Sequence, residues 1–304
     1  MTYFDVVGFG ALNLDTLFRV NRIAHAEEES YVESIHESCG GSAANTVIGL
    51  ARLNCKVGFV GKVGEDREGA MQVDGFRREG VDTEGLIHAS VGRTGLVMGF
   101  VDRQGNRALY INSGVNDTVV FSEINKTYAS HTRFLHLTSF VGEESFKTQK
   151  KFVAALPNAV NVSFDPGALY AQRGYAQLKP IIRRSYVMMP NAIELEHITG
   201  EKDYQKGASF LISKGVAIVA VKLGGEGCYV TDGKDQHQVA TLKLEAVDST
   251  GAGDAFCAGF LYGLLRRRSL FECGRIGNFV ASRSVMLMGA RTGLPYEKDL
   301  ELIG

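Results

Sequence analysis

The chain has 304 residues, 45% of them hydrophobic and 22% charged, which suits a soluble folded protein with one large α/β domain or two smaller ones. Its formal net charge of −1 leaves no basic surplus for nucleic acid or anionic lipid. No apolar run reaches the ~18–20 residues that span a bilayer, and Met1–Val7 lacks the basic-then-apolar pattern of a signal peptide, so a cytoplasmic address is expected.

The five cysteines, Cys39, Cys55, Cys228, Cys257 and Cys273, are scattered and never form a C-x-x-C pair, so they are expected to be reduced and mostly buried. The seven histidines show no metal-binding spacing. No repeat or low-complexity tract divides the chain.

In chain order, Phe4–Gly10 reads as a short buried strand ending in glycines. The residues after it do not complete a dinucleotide fingerprint. Asn13 stands where G-x-G-x-x-G needs its third glycine, and Leu14–Val20 alternates like a strand instead of opening a helix. Asn13 and Asp15 therefore fall at the carboxyl end of the first strand, where open α/β sheets place ligands. An amide and a carboxylate there can hold sugar hydroxyls; the plain alternative is a turn.

Tyr31–Cys39 is a half-polar strand that runs into Gly40-Gly41-Ser42-Ala43-Ala44-Asn45. The paired glycines Gly40 and Gly41 permit close approach of a ligand, Ser42 is a candidate N-cap, and Asn45 stands one turn into the helix. A strand at Cys55–Val63 and a helix from Gly64 to about Gly80 follow. Val97–Val101 and Arg107–Asn112, around the turn Asp102–Asn106, form a hairpin.

Beyond Phe121 the pattern is βαβ. Strands at Thr132–Leu137, Ala159–Asp165, Tyr186–Met189 and Val216–Val221 alternate with helices at Glu144–Leu156, Tyr175–Arg183 and Tyr204–Lys214. Asn191 heads another helix with Glu194 three residues on, in its plain reading a relative of the capping box. Lys222, Gly224 and Gly227 lie in a turn able to approach a nucleotide. Ribbons at Cys228–Asp232 and Gln236–Leu242 lead to Val247–Phe256, and helices at Ala255–Leu265 and Phe271–Met288 close the chain. The expected architecture is a three-layer α/β/α sheet with helices on both faces, forming one domain over residues 1–304. Short strands within about 13–39 and 93–112 stand apart from the helices and are expected to form a small β-sheet lid.

The stretch Gly251-Ala252-Gly253-Asp254 opens straight into an apolar helix, which puts free backbone N–H groups beside a carboxylate. Those donors suit an anionic group, and Asp254 can take the proton of an attacking alcohol. The chemistry implied is phosphoryl transfer to a hydroxyl; a capped glycine turn is the plain alternative.

Two motifs carry a resemblance that spans nearly the whole chain. Gly40–Asn45 through Gly61-Lys62-Val63-Gly64-Glu65-Asp66 and Gly69, together with Asp248-Ser249-Thr250-Gly251-Ala252-Gly253-Asp254-Ala255-Phe256, resemble the two signatures of the ribokinase-like, or PfkB, family of carbohydrate and nucleoside kinases. The resemblance implies an ATP- and Mg²⁺-dependent kinase. By position, Asp254 matches the general base, and the N–H groups of Gly251, Ala252 and Gly253 match the anion hole. Asp15, Gly40, Gly41 and Asn45 match contacts to substrate hydroxyls. Asn191 and Glu194 match the N-x-x-E element that organises Mg²⁺ through water; Lys222, Gly224 and Gly227 match the nucleotide turn, and Asn278 a position near the adenine. Asp248 and Thr250 match a loop that binds K⁺ in many relatives.

The same resemblance implies a homodimer joined through the lids. A P-loop is absent, since Gly61-Lys62 lacks its upstream glycine. Ribokinases carry a lysine-glycine pair where Ser42-Ala43 stands, and a glutamate near Leu137–Phe140; both departures weaken a ribose-specific reading. The expected acceptor is a small sugar, with a nucleoside as the alternative if Phe140, Phe100 or Tyr110 stacks on a base; for each of the three, packing in a core is the first expectation. Arg107 can face a substrate phosphate or simply be solvated.

Overall fold

A computed structural model describes residues 3–242 and 244–303 of the chain. Nine strands form one sheet: β1 (Phe4–Phe9), β4 (Val57–Gly64), β5 (Leu86–Ala89), β8 (Thr132–Leu137), β9 (Asn161–Phe164), β10 (Ser185–Met188), β11 (Ile218–Lys222), β12 (Cys228–Thr231) and β13 (Gln236–Val239). Their order is β13-β12-β11-β10-β9-β8-β1-β4-β5, parallel from β11 to β5 and antiparallel across β11, β12 and β13. Four more strands form a separate sheet in the order β3-β2-β6-β7: β2 (Asn13–Val20), β3 (Val32–Gly40), β6 (Gly95–Val101) and β7 (Arg107–Asn112).

The parallel strands are apolar almost throughout because helices cover both faces of the sheet. Val6 of β1 packs into a core shared with Val47, Phe256 and Phe260, while Val7 and Phe9 point into a second core with Phe152, Leu178 and Leu211. That period of two is the alternation the pleat requires. Phe9 meets Phe140 and Phe152 edge to face at 5.5 and 5.7 Å. Each such pair adds about 0.5–1.5 kcal/mol beyond burial and anchors the carboxyl end of β1, where the site begins. Phe140 is 1% exposed, so of its two readings, core packing or stacking on a nucleobase, it takes the first.

Element boundaries differ from the sequence reading at the ends. The helix expected from Gly64 begins at Arg67, because Asp66 caps it by accepting from Gly69 N–H. The last long helix ends at Ser284 rather than Met288, and β13 stops at Val239 rather than Leu242. Among the described residues, no helix is long and apolar enough to cross a membrane.

Candidate active site

The helix Ala252–Leu265 starts at the carboxyl ends of the parallel strands. Gly251 is its N-cap, in the left-handed conformation with φ of 76°, and a Cβ there would lie 2.6 Å from Ala290 Cβ. Both the backbone angle and the space exclude other residues, which is why this loop needs glycine. No side chain caps the helix. Ala252 N–H is taken by Ser249 O at 3.2 Å, whereas Gly251, Gly253 and Asp254 N–H find no acceptor among the described residues. Ala252 N–H is thus engaged, and the open donors at this helix start are Gly251, Gly253 and Asp254 N–H.

Asp254 lies in the first turn. Its Oδ2 accepts from Asn45 Nδ2 at 2.8 Å, and its backbone oxygen accepts from Thr46 Oγ1 at 3.2 Å, so the two glycine-rich motifs, more than 200 residues apart in sequence, meet side chain to side chain. Burial raises the Asp254 pKa to about 7, with Asp165 adding to the rise and Asn45, Lys222 and Arg291 opposing it. A carboxylate poised near neutrality is suited to taking and returning a proton.

Lys222, at the end of β11, has its Nζ 3.3 Å from the point where a side chain on Gly253 would begin. It also holds Asp165 Oδ2 at 2.7 Å, in a pair whose side chains are 14% and 8% exposed. Burial opposes the charge of Lys222, but Asp165 with Cys257 and Glu194 raises its pKa and keeps it protonated. Asp165 Oδ1 has no hydrogen-bond partner among the described residues, and Cys257 Sγ donates to Oδ2 at 3.3 Å.

Asn191 and Glu194 form the capping box of the helix Ala192–Thr199. Asn191 Oδ1 accepts from Glu194 N–H at 2.8 Å and Glu194 Oε2 accepts from Asn191 N–H at 2.9 Å. Burial, reinforced by Asp165, raises the Glu194 pKa. Both residues line a cavity of about 300 Å³ with Ser42, Asp165, Lys222, Gly224, Gly253 and Asp254. A second cavity of about 260 Å³ adjoins it through Lys222, Gly224 and Gly253, and is walled by Gly227, Leu242, Phe256, Asn278 and Val285. Asn278 Nδ2 donates to Val239 O at 2.8 Å, tying β13 to the last long helix while lining this pocket.

Asp15, on β2, faces Gly40: a Cβ on Gly40 would sit 2.2 Å from Asp15 Oδ2, so the carboxylate and the glycine require one another. Burial raises the Asp15 pKa to about 6 against the charge of Arg291. Asn13 Oδ1 accepts from Asn116 Nδ2 at 3.0 Å, which leaves mainly its own N–H₂ for a ligand. Asp248 Oδ1 accepts from Thr250 N–H and Oγ1 at 2.9 and 2.7 Å, and Oδ2 from Gly289 N–H at 2.8 Å. Burial works against its ionisation, yet these bonds together hold its pKa below the usual value.

Asp165, Asn116 and Arg291 were not singled out from the sequence. The carboxyl end of a parallel strand is a signal that could have found Asp165. Nothing in the spacing points to Arg291, which enters the site from the loop after the last long helix. Arg107 is exposed at the start of β7, with its charge felt at Asp248.

A profile of the pfkB family carbohydrate kinases matches residues 4–297. The chain is 44% identical over 255 residues to an uncharacterized sugar kinase of Archaeoglobus fulgidus, covering 83% of this chain and 100% of that one. It is 33% identical over 256 residues to an ATP-dependent ribose-1-phosphate kinase of Halopiger xanaduensis, covering 84% and 83%. Its fold superposes on ribokinase from Thermotoga maritima with a TM-score of 0.88 at 24% identity, covering 99% of each chain.

Proposed function

This chain belongs to the pfkB family of carbohydrate kinases, a sugar phosphotransferase with an alcohol acceptor, and from that premise we propose that it moves the γ-phosphoryl group of ATP to a hydroxyl of a small sugar with Asp254 as general base. The observation that carries the reading is the environment of Asp254. One carboxylate oxygen is held by Asn45, the pKa is lifted to about 7, and open N–H groups stand beside it at a helix start.

The sugar lies between Asn45 and the lid face that carries Asp15. Register places Val97 and Ile111 opposite Asp15 across the lid sheet, and Leu109 in the row of Leu17, so that face is an apolar roof around one carboxylate. As the hydroxyl oxygen bonds to the γ-phosphorus, its proton passes to Asp254 and the bond from that phosphorus to the bridging oxygen breaks, releasing ADP. Gly253 and Asp254 N–H and the Lys222 ammonium face the charge that spreads over the transferred group, where electrostatic stabilisation is most effective. The adjoining apolar cavity with Asn278, Gly224 and Gly227 is of a character to take the adenine.

The unpartnered Asp165 Oδ1 beside Glu194 and Asn191 is an oxygen donor set suited to a hard divalent cation. Because the capping box occupies Asn191 Oδ1 and Glu194 Oε2, these residues would hold Mg²⁺ through water and Glu194 Oε1. The bound ion supplies neutralisation of phosphate charge. Asp248 and the Thr250 carbonyl would hold K⁺ in a loop already fixed to Gly289.

Burial of Phe140 removes one candidate base platform and favours a sugar over a nucleoside. Exposed Ile35 and Tyr110, on the lid face opposite Asp15, support a homodimer formed there. Five free cysteines and a need for ATP fit a cytoplasmic address. ADP release across D-ribose, ribose 1-phosphate, hexoses, 2-dehydro-3-deoxygluconate and adenosine tests the reading. Turnover with a sugar or sugar phosphate is expected; none with any member would overturn it.

A further inference from the structure

Arg291 is a buried guanidinium whose side chain pairs directly with no carboxylate among the described residues. Its Nε donates to Asn45 Oδ1 at 2.8 Å and its Nη2 to Gly40 O at 3.2 Å. Its own carbonyl accepts from Arg52 Nη1 at 2.7 Å, and Arg52 is locked by two bonds to Glu79, at 2.9 and 2.6 Å. The backbone of Arg291 is thus held by Arg52, and its guanidinium spans the Asn45 amide and the Gly40 carbonyl.

That amide also touches Asp254, and the two contacts are not independent. A carboxamide offers an acceptor on one side and donors on the other, whereas a guanidinium can only donate. Arg291 therefore obliges Asn45 to turn its oxygen away from Asp254 and its N–H₂ towards it. With the amide flipped, a carbonyl would face a carboxylate, an arrangement that only a protonated Asp254 could satisfy.

We infer that Arg291 is a positioning residue of the phosphoryl-transfer site, fixing the Asn45 amide so that its N–H₂ group holds and orients the Asp254 carboxylate. The inference rests on the reading of Asp254 as general base, and it adds the element that keeps that base both oriented and ionisable. The groups that face Asp254 are Asn45 from the helix Ser42–Arg52, Asp165 after β9, Lys222 at the end of β11, Cys257 on its own helix and Arg291. Lys222, though paired with Asp165, offsets Asp254 alongside Arg291, and Arg291 is the cation that also offsets Asp15. Arg291 is itself faced by Asp15, Cys39, Asp254 and Glu79, and Glu79 is already paired with Arg52.

The test is carboxyl ¹³C titration of the ligand-free full chain, with the Asp254 signal identified by its loss in Asp254→Asn. The wild-type midpoint is expected near 7. Arg291→Ala should move it to higher pH by at least about 0.5, and millimolar guanidinium should bring it part of the way back. Arg291→Lys, which keeps charge but cannot reach both acceptors, should fall between. If Arg291→Ala does not fold, Arg291→Gln carries the same upward expectation. The acid limb of kcat/KM with ATP and the best panel acceptor should shift with the midpoint while KM for ATP stays put. A midpoint unmoved in the folded variants overturns the inference, and so does a loss of kcat with no shift in the limb. Near-normal turnover by Asp254→Asn would instead sink the base assignment, leaving the titration to report on the Arg291–Asn45 contact by itself.

Discussion

The two regions that would close on a substrate are built in opposite ways. At the transfer centre, Asp254, Asn45, Lys222, Asp165 and Arg291 come from five separate parts of the chain and are paired out of bulk water. In the lid, charges meet at the surface, as in Arg103 with Glu33 and Arg67 with Glu37, and apolar side chains such as Ile35, Leu109 and Ile111 stand more than half exposed. Removing one member of a buried polar network strands its partners, whereas an exposed pair trades one neighbour for water. The transfer centre is therefore the region where a substitution should cost most, and the lid the region where it should cost least.

Substitutions can break or sharpen that contrast. The largest effect is expected at Asp254→Asn, with kcat falling by ~10²–10⁴ and circular dichroism unchanged. The same variant should gain stability at neutral and higher pH. The folded state keeps a proton on Asp254 up to about pH 7, while the unfolded carboxylate releases it near 3.8, so wild-type stability falls as pH rises through that window. Asparagine removes this loss, worth roughly 2–4 kcal/mol by linkage. Urea melts should show the gain at pH 8 and little of it at pH 4; a gain independent of pH would contradict the buried-base account.

Lys222→Met should come next, destabilising the fold by about 3–5 kcal/mol because Asp165 is left buried and charged. Adding Asp165→Asn should restore most of the stability in urea melts but not the turnover. Recovery of turnover in the double variant would deny Lys222 a place at the transferred group. On the lid face opposite Asp15, Ile35→Asp with Tyr110→Asp should leave kcat near normal and convert a dimer to a 33.0 kDa species by sedimentation. A wild-type chain that already sediments at that mass would remove the lid interface. The smallest effect is expected at Arg67→Ala, where Tm should not move measurably, since its pair with Glu37 is exposed.

Much of this contrast was legible in the sequence, for a physical reason. Strand and helix periods follow burial, so the βαβ alternation and the separate half-polar strands could be read as a two-sided sheet and a second sheet. The glycine motifs are legible because backbone demands at Gly41 and Gly251 favour glycine alone. Arg291 could not be read, because its role comes from the loop that carries it past Gly40 and Asn45, a meeting of residues about 250 positions apart. The burial of Phe140 was equally hidden, since an aromatic after a strand has the same spacing whether it faces a ligand or, as here, Phe9.

In the proposed reaction a buried carboxylate with a pKa near 7 takes the acceptor's proton. The pH dependence of kcat/KM for the wild-type chain, with saturating Mg²⁺ and the best acceptor of the panel, tests it most directly. A break with a midpoint near 7 is expected, with log kcat/KM falling at a slope of about one just below it and more steeply once Asp15 also titrates. A rate that stays level down to pH 5 would contradict it.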